Sequence, residues 1–211
     1  MTGRRLEAPI AHAARRARRL LAGAALIAAG IAGPVAAAAG DAWNLDQLMS
    51  RLAHERSGQA TFVERKHLAI LDEPVVSSGE LRFRAPDRLE KLTLEPRRES
   101  LVLEGDTLTV TRGERRHVLR LADYPQVAAF IDSIRATLAG DRAALERTYA
   151  LLLSGDAERW RLSLLPRDPK MAEVVLRIDI RGTHALLAEI EILQADGDRS
   201  VMTVRPLATA R

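Results

Sequence analysis

Cysteine is absent from all 211 residues. The chain therefore has no disulfide, no thiolate nucleophile and no cysteine-based zinc site. Aromatic residues make up only 3%, which leaves Phe62, Phe83 and Trp160 as the strand positions available for stacking bases and argues against a nucleic-acid reader. The apolar run at residues 20–33 is 14 residues long, short of the roughly 20 needed to span a bilayer. Missing too are a phosphate-cradling Gly-rich Lys loop, a dinucleotide fingerprint, a Gly-x-Ser-x-Gly elbow and a His-Glu-x-x-His helix. These absences remove the common routes to nucleotide, hydrolase and zinc chemistry.

Charge is abundant but unevenly placed. The formal net charge of +4 and pI near 10.1 suggest a polyanion-binding protein until the charge is located. Six arginines and one acid fall within residues 1–39, a net of +5, whereas the remaining 172 residues carry 26 basic and 27 acidic side chains, a net of −1. Residues 1–39 run in the order of a secretory signal: a basic segment ending at Arg19, the apolar run, then Val35 and four alanines ending at Ala39. Cleavage near Ala39 is expected, by the general export route rather than the twin-arginine route that Arg18 and Arg19 would permit. An exported chain without cysteine cannot be a lipoprotein itself, since acylation uses a cysteine directly after the signal. The remaining 172 residues are expected to form one periplasmic domain, large enough to bury roughly 70% of its unfolded surface without staples.

Asn44 suits the cap of a helix with Leu45, Leu48, Met49 and Leu52 at helical spacing, ending near Ser57 and Gly58. Six strands follow at residues 60–70, 75–84, 88–95, 99–104, 107–112 and 114–121, punctuated by Pro74, Pro86, Pro96, Gly105 and Gly113. The helical period returns over residues 125–139, with Val127, Phe130, Ile131, Ile134 and Leu138 on one stripe, Pro125 at the first position and Gly140 as a stop. After a short turn at residues 141–146, five more strands are expected at 148–153, 159–165, 174–181, 185–193 and 200–205. In the third of these Val174, Leu176, Ile178 and Ile180 alternate with Arg177, Asp179 and Arg181, a sheet with one buried side. Glu189 and Glu191 share one side of the next strand and read as exposed. The fold class is α+β: a mainly β, antiparallel meander of about eleven strands with a helix inserted after the sixth.

No residue stands out as a nucleophile. His54, His67, His117 and His184 are scattered over different elements, so neither a metal site nor a cofactor is expected. The aliphatic content of a curved sheet with an inserted amphipathic helix suits acyl chains, and suits an ordinary core equally well.

A resemblance separates these two. Ala60-Thr61-Phe62, then the hairpin Ser77-Ser78-Gly79-Glu80-Leu81-Arg82-Phe83-Arg84-Ala85-Pro86, then residues 89–96, the turn Leu101-Val102-Leu103-Glu104-Gly105-Asp106-Thr107-Leu108, and the late strand Trp160-Arg161-Leu162-Ser163-Leu164-Leu165-Pro166 resemble, in order and spacing, the periplasmic lipoprotein-carrier (LolA-like) family, in a divergent branch. The resemblance implies an unclosed β-barrel with a helical lid and no catalytic activity. It implies a monomer that takes an acylated lipoprotein or other lipid from an inner-membrane donor transporter to an outer-membrane acceptor. A 16-carbon chain in water costs on the order of 12 kcal/mol, which such a cavity must largely recover. The lid stripe would be Phe130, Ile131, Ile134 and Leu138; the wall would be Leu81, Phe83, Leu92, Leu94, Leu101, Leu103, Trp160 and Leu162. One position departs from the family pattern. An arginine that latches the lid often precedes the hairpin proline, and here that residue is Ala85, with Arg84 on the opposite strand face. The same fold also resembles periplasmic regulators that sense mislocalised lipoproteins; these carry a second C-terminal domain, and the carrier is favoured because this chain ends shortly after residues 200–205.

Overall fold

The computed structural model describes residues 43–207. It divides into Met1–Ala39 and Gly40–Arg211, and the described residues all belong to the second unit. The expected signal and its cleavage site lie outside the described residues.

Helix α1 (Leu45–His54) begins where Asn44 Oδ1 accepts the Gln47 backbone N–H at 3.0 Å, satisfying one of the free donors of a first turn. Six strands follow: β1 (Ser57–His67), β2 (Val75–Arg84), β3 (Arg88–Glu95), β4 (Glu99–Glu104), β5 (Thr107–Arg112) and β6 (Arg115–Arg120). A short 3-10 turn at Leu121–Asp123 leads into α2 (Pro125–Leu138) and α3 (Arg142–Thr148). The chain then forms β7 (Tyr149–Gly155), β8 (Trp160–Pro166), α4 (Pro169–Ala172), β9 (Val175–Thr183), β10 (Leu186–Gln194) and β11 (Arg199–Pro206). The one-turn helix α4 was not expected; Asp168 caps it through the Lys170 backbone N–H.

All eleven strands form one antiparallel sheet in the order β6-β5-β4-β3-β2-β1-β11-β10-β9-β8-β7. The ends β6 and β7 do not pair, so the sheet is an unclosed barrel. These two edges are consecutive in the chain, joined only by the 3-10 turn, α2 and α3. The helical insert is thus the segment that runs from one open edge to the other.

One face of the sheet carries the core. Leu48, Met49 and Leu52 of α1 pack with Trp160, Leu162 and Leu164 of β8 and Ile178 and Ile180 of β9, together with Ala136 of α2, Leu145 of α3, Tyr149, Met171 and Val175. Complete burial of each large aliphatic side chain contributes about 1.5–3 kcal/mol. Gly140 ends α2 with φ of +65°, and a Cβ there would lie 2.1 Å from the Met49 carbonyl oxygen of α1. Glycine meets both demands at that position, the left-handed backbone and the close helix approach.

Two sequence expectations change. Leu176 and Val174 are partly exposed while Val175 is buried, because β9 starts at Val175 and the ladder slips between Leu193 and Gln194. The alternation of Ile178 and Ile180 with Asp179 holds beyond that slip. Glu191 is 8% exposed rather than solvated. It lies on the outer face between Arg181 at 3.0 Å and Arg199 at 2.7 Å; burial pushes its carboxyl up, and these two guanidiniums more than offset that and hold it below the ordinary value. Asp179, 1% exposed, accepts from Ser163 and pairs with Arg161 and Arg177.

Candidate functional site

Successive strand residues point to opposite faces, and directly paired residues point to the same one. Following the pairs outward from Leu162 gives the composition of the helix-bearing inner face: Ile180, Ile190, Met202, Glu64 and Ser77 at one level, and Phe83, Leu89, Leu103, Leu108 and Leu119 further along. Beside these lie Leu81, Lys91, Leu101 and Val110.

The two halves of this face differ. The buried cluster draws on the helices, β7, β8 and β9, with β10 packed against it, and includes no residue of β1 to β6. On β2 to β6 the inner face is nevertheless aliphatic: Leu81, Phe83, Leu89, Leu101, Leu108, Val110 and Leu119 are each half-buried. Helix α1 fills the first half, while the second is an apolar surface left partly open.

The expected wall residues divide accordingly. Leu81, Phe83 and Leu101 lie on the open half. Leu103 is on the same face but 3% exposed. Trp160 and Leu162 face inward, yet are 1% and 0% exposed within the buried cluster, so they belong to the core and not to an accessible wall. Leu92 and Leu94 are corrected. Leu92 pairs with Glu80 and Ser100 on the outer face, and Leu94 lines an outer-face hollow of about 400 Å³ with Thr61, Val63 and Arg205. The inner residues of β3 are Leu89, Lys91 and Thr93. On α2, Phe130 and Ile134 pack against the buried cluster, whereas Ile131 and Leu138 are half-buried outside it.

Helix α2 is tied to the edge strand β7 and to the β4–β5 turn. The Tyr149 hydroxyl on β7 donates to the Ala129 carbonyl at 3.1 Å, and burial pushes this phenol up to about 12. Arg135 Nη1 donates to the Gly105 carbonyl in the β4–β5 turn at 3.0 Å, while Nη2 pairs with Asp132. Arg84 lies on the outer face, opposite Ser57 and Arg88. An arginine does connect lid and sheet here, but it belongs to the lid.

Sequence reasoning missed a buried carboxylate set into this face. Glu64 is 5% exposed. Lys91 Nζ lies 2.5 Å from its Oε2, Ser200 Oγ donates to Oε1 at 2.8 Å, and Lys66 is 3.7 Å away. Burial pushes the Glu64 carboxyl up, and Lys91, Ser200 and Lys66 together overcome this, holding it below its ordinary 4.5. A carboxyl depressed by folding contributes stability that is present above the unfolded value and lost as the pH falls through the folded one. We expect the melting temperature to fall as pH drops below about 4.5, and to fall less steeply in a Glu64→Gln/Lys91→Met double variant. Calorimetry across pH 3–6 checks this; parallel curves would refute it.

Among the described residues no group of three or more His, Asp or Glu side chains is placed to hold a metal, and no helix is long and apolar enough to cross a membrane.

A family model described as outer membrane lipoprotein carrier protein LolA-like matches residues 36–210. Among solved structures, the chain is similar to a LolA superfamily protein from Nitrosomonas europaea, with 13% identity over 79% of this chain and 93% of that one and a TM-score of 0.45. It is similar also to a chain of the Pseudomonas aeruginosa MucA/MucB complex, with 19% identity over 79% of this chain and 58% of that one and a TM-score of 0.46. A third similar structure is LprF from Mycobacterium bovis, with 14% identity over 79% and 96% of the two chains and a TM-score of 0.35. No curated protein matches the chain.

Proposed function

Because the chain belongs to the LolA-like family of outer membrane lipoprotein carrier proteins, we propose that it is a periplasmic carrier. It holds the acyl chains of a lipoprotein or other lipid against the inner face of β2 to β6 and conveys them between the inner and outer membranes. The observation that carries this reading is the contrast between the two halves of one sheet face. An aliphatic surface lying beside a fully packed core, yet excluded from it, is a standing cost in water unless something apolar covers it part of the time. A surface of this kind binds chains without directional bonds, so release needs only that the next site be more favourable.

Helix α2 is the lid in this reading, because it bridges the two unpaired edges and is held by two hydrogen bonds, from Tyr149 and from Arg135. Residues 1–39 serve as the export signal. Donor and acceptor are membrane-associated proteins at the two ends of the route.

Native mass spectrometry and lipid extraction of the protein recovered from its periplasm provide the test. An acylated species should co-purify and should be displaced by a fluorescent fatty acid. Absence of any bound acyl compound, together with no uptake of the fatty acid, would refute the carrier function.

A further inference from the structure

We propose that Lys91 forms a head-group site inside the acyl cavity, so that the preferred cargo is a single acyl chain ending in an anion, a carboxylate or a phosphate. The inference rests on the acyl-carrier reading above and narrows it.

The network lies at the seam between the filled and the open halves. Ser200 is on β11, Glu64 on β1 and Lys91 on β3, and β2 places Gly79 opposite Phe62, so no side chain stands between the lysine and the glutamate. Lys91 Nζ bonds Glu64 and lies 4.8 Å from the centroid of the Phe62 ring. Its side chain remains 24% exposed, against 7% for that of Glu64, so the part still accessible belongs to the lysine. An ammonium has three donors, and only one is committed to Glu64.

The charge balance points the same way. Two lysines meet one carboxylate, Lys91 with its side chain 24% exposed and Lys66 with its own 52% exposed toward water, so the site carries one more positive than negative charge; Glu99, on this face of β4, is taken by Arg112. A purely hydrocarbon wall would be less costly to bury than an ion pair. An anion from the cargo would remove the surplus and accept from the free ammonium donors. Leu101 and Val110 continue from Lys91 in one row toward β6, where the row meets the exposed His117 and Leu119 lies beside it on the same face, which gives the chain an apolar path once the head is fixed.

The test compares hexadecanoate, hexadecyl phosphate and hexadecanol as displacers of a neutral pyrene-labelled alcohol from the protein. Either anion should displace the probe at least about tenfold better than the alcohol, the effect of one charge-assisted hydrogen bond. Lys91→Met should abolish that preference, so that all three ligands displace the probe alike, and Lys91→Arg should retain it. If Lys91→Met does not fold, the Glu64→Gln/Lys91→Met double variant removes both charges together and should behave likewise. Equal displacement by all three ligands in the unmodified protein, or an anion preference that survives both lysine-to-methionine variants, would overturn the head-group site and leave acyl binding standing. Failure of every ligand to displace the probe, and of the probe to bind, would overturn both.

Discussion

Replacing Trp160 with alanine should cost about 3–5 kcal/mol of stability, the range for emptying a fully buried aromatic site. The side chain is 1% exposed, its Nε1 donates to the His184 carbonyl at 3.0 Å, and its ring sits against Gly182, where any Cβ would come within 2.3 Å of Cζ2. The indole belongs to the buried cluster, and the β8–β9 ladder on which it sits cannot collapse into the space it leaves without breaking ladder bonds. For a domain of this size the melting temperature should fall on the order of 10 °C. Urea denaturation measures the loss, and a change below about 1 kcal/mol would refute the placement of Trp160 in the core. At a temperature where the variant is folded, acyl affinity should be unchanged, because the residue lies in the buried cluster and not on the open half.

Leu108→Asp should do the opposite. Leu108 is half-buried, pairs with Leu103 and Leu119, and faces the unfilled half of the sheet. In the empty protein its carboxylate can still reach water, so the stability change should stay within about 1 kcal/mol. With a chain bound, that carboxylate is covered by hydrocarbon, and an uncompensated buried charge costs several kcal/mol. Acyl affinity should therefore drop on the order of 100-fold. Thr109→Asp, one residue along and on the outer face opposite Val102 and Val118, should leave affinity unchanged. Titration with a fluorescent fatty acid reads both variants. Equal affinities would remove the inner face of β5 from the site, and a Leu108→Asp protein that fails to fold would place Leu108 in the core instead.

The contrast between Trp160 and Leu108 shows how far the sequence could be read. Both are large apolar strand residues with similar local patterns, and nothing in the sequence distinguishes a wall under a helix from a wall facing an opening. The error over Leu92 and Leu94 has a different origin. Leu89, Leu92 and Leu94 break strict alternation, so the strand's inner face cannot be chosen from hydrophobicity alone. The signal that decides it is the turn. Arg84 pairs with Arg88 across residues 85–87, which aligns Phe83 with Leu89 and Leu81 with Lys91, and a slip of one residue would reverse every side chain. Counting along that turn would have placed Leu89 and Lys91 inward. Glu64 had no comparable signal, since its partners Lys91 and Ser200 are 27 and 136 residues away.

By itself the sequence determined the elements and their order: the Asn44 cap, the turns at Pro86, Pro96 and Gly105, the stripe of α2 and its stop at Gly140, and the antiparallel meander. All of these rest on contacts between residues close in the chain, where backbone preference and side-chain period act directly. Only the tertiary structure decided that β6 and β7 remain unpaired, that α1 fills one half of the inner face and leaves the other open, and that Glu64, Lys91 and Ser200 meet at the seam. Those outcomes depend on which distant surfaces are brought together. Burial is a property of the pair of surfaces that meet, and a single strand's pattern describes only one of them.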